Sequence, residues 1–182
     1  VQIPLQTVVT DLSGKTIYPS FIDLFSDFGV KKPASARGGR GSQYEPTREG
    51  FYWNDHVMPE NRAIDRFEYD RKKADELRKA GFGVINTHIM DGIARGTGIL
   101  VTLSDRLNNS ERIINDSSGQ YFSFKKSEAS RQSYPSSHMG AIALLKQMHY
   151  DAKWYANGHA KNKDLSLEAL NTNKSLPSFI ES

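Results

Sequence analysis

Thr16-Ile-Tyr-Pro-Ser-Phe-Ile-Asp-Leu-Phe-Ser-Asp-Phe-Gly29 is the stretch whose reading decides the fold. Its first half is β-branched and aromatic, through Ile17, Tyr18, Phe21 and Ile22, and Pro19 is tolerable only near a strand start or edge. Its second half turns acidic at Asp23 and Asp27. The pattern predicts a buried strand ending in a polar mouth, and carboxylates at a strand end are common metal ligands and bases. The competing reading is that both aspartates only solvate a loop.

Beyond Gly29 the segment KKPASARGGRGSQYEPTREG is rich in Gly, Pro, Ser and Arg and has no apolar period, which predicts a long mobile loop. Arg37-Gly-Gly-Arg-Gly41 resembles the RGG boxes of RNA-binding tails, but a single copy reads as a surface loop. Phe51-Tyr52-Trp53-Asn54-Asp55-His56 differs, because three consecutive aromatics rarely sit free in solvent; they plug a scaffold or line a pocket. His56 beside Asp55 is a ligand or base in one reading and a hydrogen-bonded structural histidine in the other.

Ala74, Leu77 and Ala80 recur at helical spacing, Asp70 or Asp65 is placed to cap, and Gly81 is placed to stop, so a helix is expected over 70–80. Gly83-Val-Ile-Asn-Thr-His88 follows as a strand, then a glycine-bearing turn from Asp91 to Gly98 leads to an apolar strand, Ile99 to Leu103. Helix, glycine, strand reads as a βα repeat with parallel strands. No helix follows that turn, which removes a pyrophosphate-binding reading of its glycines; they are backbone requirements. Arg112–Asn115 and Gln120–Phe124 read as two short strands joined by a turn at Asp116-Ser-Ser-Gly119. A serine at 136 or 137 caps the strongest helix of the chain, running to Tyr155 before Asn157-Gly158. His138 and His149 fall in that helix without a carboxylate partner at helical spacing and read as structural or surface groups. A short helix over 165–170, capped by Asp164, precedes a last strand from Leu176. At the other end, Thr7–Leu12 alternates weakly before a turn at Ser13-Gly14-Lys15, as a strand of a preceding sheet would.

The 182 residues fit one domain, and 37% hydrophobic content allows a modest core. Mean hydropathy of −0.59 and 25% charged residues indicate solubility. No apolar run approaches the roughly 20 residues that span a bilayer, so no membrane partner is expected. Val1 opens on VQIPLQTVVTDL with no basic leader, and the missing initiator methionine suggests a mature or excised product. A net charge of +3 with 24 basic and 21 acidic side chains interspersed gives no nucleic-acid footprint. Zero cysteines exclude disulfides, thiol catalysis and zinc–thiolate sites.

Three motif stretches together resemble the amidohydrolase superfamily, in particular its imidazolonepropionase-like subgroup. Pro19-Ser-Phe-Ile-Asp23 is similar to the Pro-Gly-(Leu/Phe)-Ile-Asp lead into the first barrel strand, which in the family continues into His-x-His. In this register those histidine positions hold Phe25 and Asp27: one ligand is lost, since a phenyl ring has no donor atom, and the other becomes a hard oxygen donor. GVINTHIMDGIARGTGILVTL aligns without gaps to the family's Gly-Val-Thr-Thr-Val strand, Pro-Gly-Ser-Gly-Asn turn and Gly-Gln-Gly segment. Gly96 and Gly98 match the glycine pair, His88 stands in the proline's place and Arg95 in a glycine's. Tyr134-Pro-Ser-Ser-His-Met-Gly140 resembles the Pro-Ser-x-Met-Gly motif that follows.

The resemblance implies an α/β fold: a partial TIM (β/α)8 barrel of amidohydrolase type, its first two to three βα units with an inserted β-hairpin. Residues 1–15 would end a preceding β-sheet segment, and 16–182 would form the N-terminal part of the barrel domain. It implies hydrolysis of C–N bonds in amides, cyclic amides or dipeptides by metal-activated water. Asp27 and Asp23 become the metal candidates, for zinc held singly or lost, and Tyr52, Trp53, His56, His88 and Arg95 the substrate-binding candidates. A two-strand piece of barrel leaves open edges, so the expected partner is the remainder of the same polypeptide; a homodimer is also compatible. The subgroup is commonly exported, which implies a periplasmic or secreted location. The alternative is a noncatalytic barrel that binds peptide or glycan through the Phe51–Trp53 aromatics and the arginine-rich loop.

Overall fold

The computed structural model describes residues 7–44 and 46–181. Val1 to Gln6, which open the expected first strand, lie outside the described residues, and Thr7 to Ser20 carry no strand, only the turn closed by Lys15 N–H on the Leu12 carbonyl at 2.9 Å.

Five strands form one sheet in the order β1 (Phe21–Ser26), β2 (Phe82–Thr87), β3 (Ala94–Thr102), β4 (Ile113–Ser123), β5 (Ser178–Glu181). It curls into a half-barrel, with helices on its convex side. β1 and β2 are parallel, with Ile22 opposite Val84 and Asp23 opposite Ile85, as two apolar runs separated by a helix should be. That helix, α1 (Arg71–Lys79), starts where Asp70 accepts the Lys73 N–H and ends at Gly81, φ +96°.

β3 departs from the parallel reading: it runs antiparallel to β2, pairing Val84 with Thr102 and Thr87 with Ile99. The reason is length. Residues 88–93 are too few for a crossover, which takes about a dozen or more. Nor are Gly96 and Gly98 in a turn, since β3 already begins at Ala94.

The expected hairpin at Asp116–Gly119 is also corrected, because β4 is one continuous strand after the short α2 (Asn109–Arg112) and its hairpin partner is β3. Gly119 serves a close approach instead. A Cβ there would sit 2.9 Å from Phe179 Cδ2 and 2.9 Å from the Pro177 carbonyl, so its lack of a side chain lets β5 lie alongside in parallel.

Between β4 and β5 run α3 (His138–Ala156) and α4 (Leu165–Thr172). Ala141, Leu144, Met148 and Ala152 make the buried stripe of α3 at helical spacing and pack with Phe122, Val57, Leu167 and Leu170. A second core, between α1 and the sheet, joins Phe28, Ala74, Ile85, Ile99 and Val101. Ser137 caps α3 by accepting the Gly140 N–H at 3.1 Å, and Asp164 caps α4 from Leu167 N–H at 2.9 Å. Ser137→Ala should therefore cost about 1 kcal/mol, read as a lowered urea midpoint, whereas Ser136→Ala should leave it unchanged.

Among the described residues no helix is long and apolar enough to cross a membrane.

Candidate functional site

Strand alternation sorts the sheet's side chains onto two faces. Ile85, Ile99 and Val101 point to the α1 core, while their neighbours point into the hollow of the half-barrel. There Phe25 of β1 meets the His88 ring edge-on at 4.5 Å, His88 stacks on Tyr121 of β4 at 3.7 Å and 10°, and Tyr121 stacks on Phe179 of β5 at 4.9 Å. One aromatic row thus crosses the hollow. Gly98 makes room for it, since a Cβ at that position would press on the Tyr121 ring and the Thr87 carbonyl.

A polar group sits at the end of this row, beyond the carboxyl ends of β2, β4 and β5. Arg95, 3% exposed, donates through Nη2 to Glu181 at 2.6 Å and through Nε to the Gly92 carbonyl at 3.1 Å, and its Nη1 lies 3.3 Å from His88 Nε2. Lys125 reaches the other Glu181 oxygen at 2.6 Å. The Lys125 hydrogen bond, reinforced by Arg95, holds the Glu181 carboxyl below its usual range. His88 is fully buried; burial first, then the Arg95 charge, pushes its pKa down to about 3, so it is neutral at ordinary pH. Its Nδ1 is buried with no hydrogen-bond partner among the described residues. An unmet buried donor or acceptor of this kind costs about 1–3 kcal/mol.

The metal candidates do not assemble. Asp23 accepts the N–H of Phe25 at 3.0 Å within β1, where the strand's register shifts, and Asp27 pairs with Lys73 at 3.2 Å. Phe25 occupies the slot between them with its ring against His88. Among the described residues no three His, Asp or Glu side chains converge to hold an ion, so these residues by themselves do not fit the metal that the resemblance implies.

The aromatic candidates stand apart from the hollow, in the seam under the long loop. Tyr52 is buried, donates its hydroxyl to Asp151 at 2.7 Å, and is pushed up by burial and that carboxylate. Trp53 packs between Tyr44, at 5.5 Å, and Tyr134, at 6.0 Å. His56 is fully buried with both nitrogens engaged: Nδ1 accepts the Ser127 N–H at 3.1 Å and Nε2 donates to the Gln132 carbonyl at 2.8 Å. Its neighbours Asp55 and Asp91 clamp Thr47, Ser130, Ser127 and Glu128, so all these groups hold loops to the sheet. The arginine-rich loop lies along residues 128–133, with Ala36 N–H on the Glu128 carbonyl at 2.8 Å and Gly41 N–H on the Arg131 carbonyl at 2.7 Å.

The structure therefore brings together His88 and Arg95 and leaves Tyr52, Trp53 and His56 elsewhere. Sequence reasoning missed Tyr121, Phe179, Glu181 and Lys125. The signal available was period-two alternation: Gly119 and Tyr121, then Phe179 and Glu181, occupy one face of their strands.

No protein-family model matches the sequence, and no curated protein matches it. Among solved structures, the whole chain superposes on 49% of an amidohydrolase from Thermotoga maritima MSB8, with a TM-score of 0.67 and 19% sequence identity. At that identity the likeness is one of fold, and the chain spans about half the length of that structure.

Proposed function

We propose that this chain is the N-terminal part of an imidazolonepropionase-like amidohydrolase barrel of TIM type, whose complete form hydrolyses the C–N bond of an amide, cyclic amide or dipeptide. The observation that carries this reading is the end-to-end likeness of fold to half of an amidohydrolase, with the buried His88–Arg95 pair and Glu181 standing where β2 and β5 reach their carboxyl ends and β3 begins. Active groups of barrel enzymes collect at that end. The contribution of this half is to bind and orient, through His88 and Arg95. Among its described residues no three-ligand metal site converges, so a metal would take its ligands mainly from the rest of the polypeptide.

The rest of the same polypeptide is the partner this reading requires. β1 and β5 are both edge strands, and Ile22, Leu24 and Ile180 are exposed on them at 55%, 58% and 63%. An apolar groove of about 640 Å³ between α3 and β5, lined by Phe122, Ile142, Leu145 and Ile180, is where the next layer would pack. Edges and faces of that kind invite pairing. A periplasmic or secreted location goes with the same subgroup assignment.

Phe25 in the place of a metal ligand favours one second reading, a barrel that has kept its binding hollow and lost its chemistry. The intact polypeptide separates the two. Offered N-acyl amino acids, dipeptides and cyclic amides, before and after incubation with zinc or manganese, it is expected to release amine from at least one class. Silence across the panel, with those compounds still binding by calorimetry, would leave only the binding barrel.

A further inference from the structure

We propose that His88 is a neutral hydrogen-bond donor to substrate, presenting its Nδ1 hydrogen to a carbonyl or carboxylate oxygen, with Arg95 and Glu181 as the positioning residues that fix this tautomer. The identity of the substrate rests on the hydrolase reading above; the donor does not.

The tautomer follows from what arginine can do. Every guanidinium nitrogen is a donor and none accepts, so Arg95 Nη1 can face His88 Nε2 at 3.3 Å only if that nitrogen offers its lone pair. The guanidinium cannot swing away, because Glu181 and the Gly92 carbonyl hold its other two nitrogens at 2.6 and 3.1 Å. A neutral imidazole carries one hydrogen, which is then on Nδ1. Stacking on the fully buried Tyr121 at 3.7 Å, with Phe25 against it at 4.5 Å, holds the ring in its plane, and a half-turn within that plane would take Nε2 away from Arg95.

A donor fixed this firmly and left without an acceptor among the described residues is placed for one that arrives. The arriving atom is an oxygen without a proton of its own. Arg95 and Lys125 share the single carboxylate of Glu181, so an oxygen with partial negative charge meets cationic donors there, against the opposing charge of Asp27, which Lys73 offsets only in part. A polarised amide carbonyl, or the carboxylate of a product, fits both conditions. Reaching the buried Nδ1 requires Phe25, the partly exposed ring against His88, to move aside. The depressed basicity of His88 keeps it a neutral donor rather than an acid.

The test uses the intact polypeptide labelled with ¹⁵N at histidine, with the His88 signals assigned by their loss in His88→Asn. At neutral pH the spectrum should show Nδ1 protonated and Nε2 bare, and titration with sodium acetate should move the Nδ1 proton downfield to a plateau. Protonated Nε2 overturns the proposal; so does an Nδ1 signal indifferent to acetate, which would assign the acceptor to a backbone carbonyl in the rest of the polypeptide. On whichever amide the enzyme cleaves, His88→Asn, whose amide nitrogen falls near Nδ1, should keep kcat within several-fold. His88→Gln, whose amide falls near Nε2, should lower kcat by roughly 100-fold with little change in KM. Equal losses in the two variants, with equal thermal melts, would also overturn it. A polypeptide that hydrolyses nothing defeats the hydrolase reading and leaves the acetate titration to decide the donor.

Discussion

Gly96→Ala is expected to be the most damaging single methyl group in the chain, lowering stability by at least about 3 kcal/mol and depleting soluble protein. Two costs combine at this position. The backbone is left-handed, φ +83°, in the interior of β3, a conformation that costs an L-residue about 1–2 kcal/mol. The added Cβ would also fall onto the Asn61 carbonyl oxygen and lie 2.7 Å from its carbon, and backbone cannot rotate out of the way as a side chain can. Asn61 is itself held there, because its carbonyl accepts the Thr97 N–H at 2.9 Å and Arg62 bridges to Thr97. Relieving the clash means breaking the contact that fastens the long loop to the sheet. Gly158→Ala is the control: φ is +77°, but nothing lies within 4 Å, so only the conformational cost of about 1 kcal/mol should appear. Urea unfolding of both variants reads the difference, and equal midpoints would show that the Asn61 contact is not structural.

The same glycine illustrates how far residues alone could be read. That Gly96 and Gly98 answer a backbone need was legible, because no helix follows them; which neighbour they admit was not, since Asn61 and Tyr121 are distant in sequence. The three capped helices were legible for a local reason: an apolar run, an Asp or Ser cap and a stop lie within one window. Gly119 misled because glycine after Asp-Ser-Ser signals a turn, whereas its purpose is the passage of Phe179, sixty residues on in sequence. In the hollow, position along β2 was enough to single out His88. Its dependence on Arg95, and of Arg95 on Glu181, could not be seen, because three strands bring those side chains together only once the sheet has formed. Phe51 to His56 show the reverse case. Their chemistry suggested a pocket, and packing spends it on holding loops.

Acidification should destabilise the protein well before paired carboxylates such as Glu181 titrate, and the cause is two histidines with no place for a second proton. On His88 that proton would go to Nε2 and face the Arg95 guanidinium; on His56 it would go to Nδ1 and face the Ser127 N–H. Burial is the largest cause of the lowered pKa in both, down to about 3 for His88. The sign follows from proton counting. Both folded values lie below the unfolded value of 6.5, so as pH falls through 6.5 the unfolded chain takes up protons that the folded chain refuses. Stability is flat above that pH and declines below it, for His88 until about 3, at up to about 1.4 kcal/mol per pH unit for each histidine. Between pH 6 and 5, roughly, His88 should remove about 1 kcal/mol, with His56 acting in the same direction. Paired acids such as Glu181, whose folded value is lowered, give up their stabilisation only at still lower pH, below the unfolded 4.5, and do not confuse this window. Urea midpoints of the intact polypeptide across the window measure the slope, and His88→Asn, which cannot titrate, should reduce it by up to about 1.4 kcal/mol per pH unit. A midpoint that stays constant from neutral pH into the window, or a slope unchanged in His88→Asn, would mean that burial and Arg95 do not keep His88 from its proton.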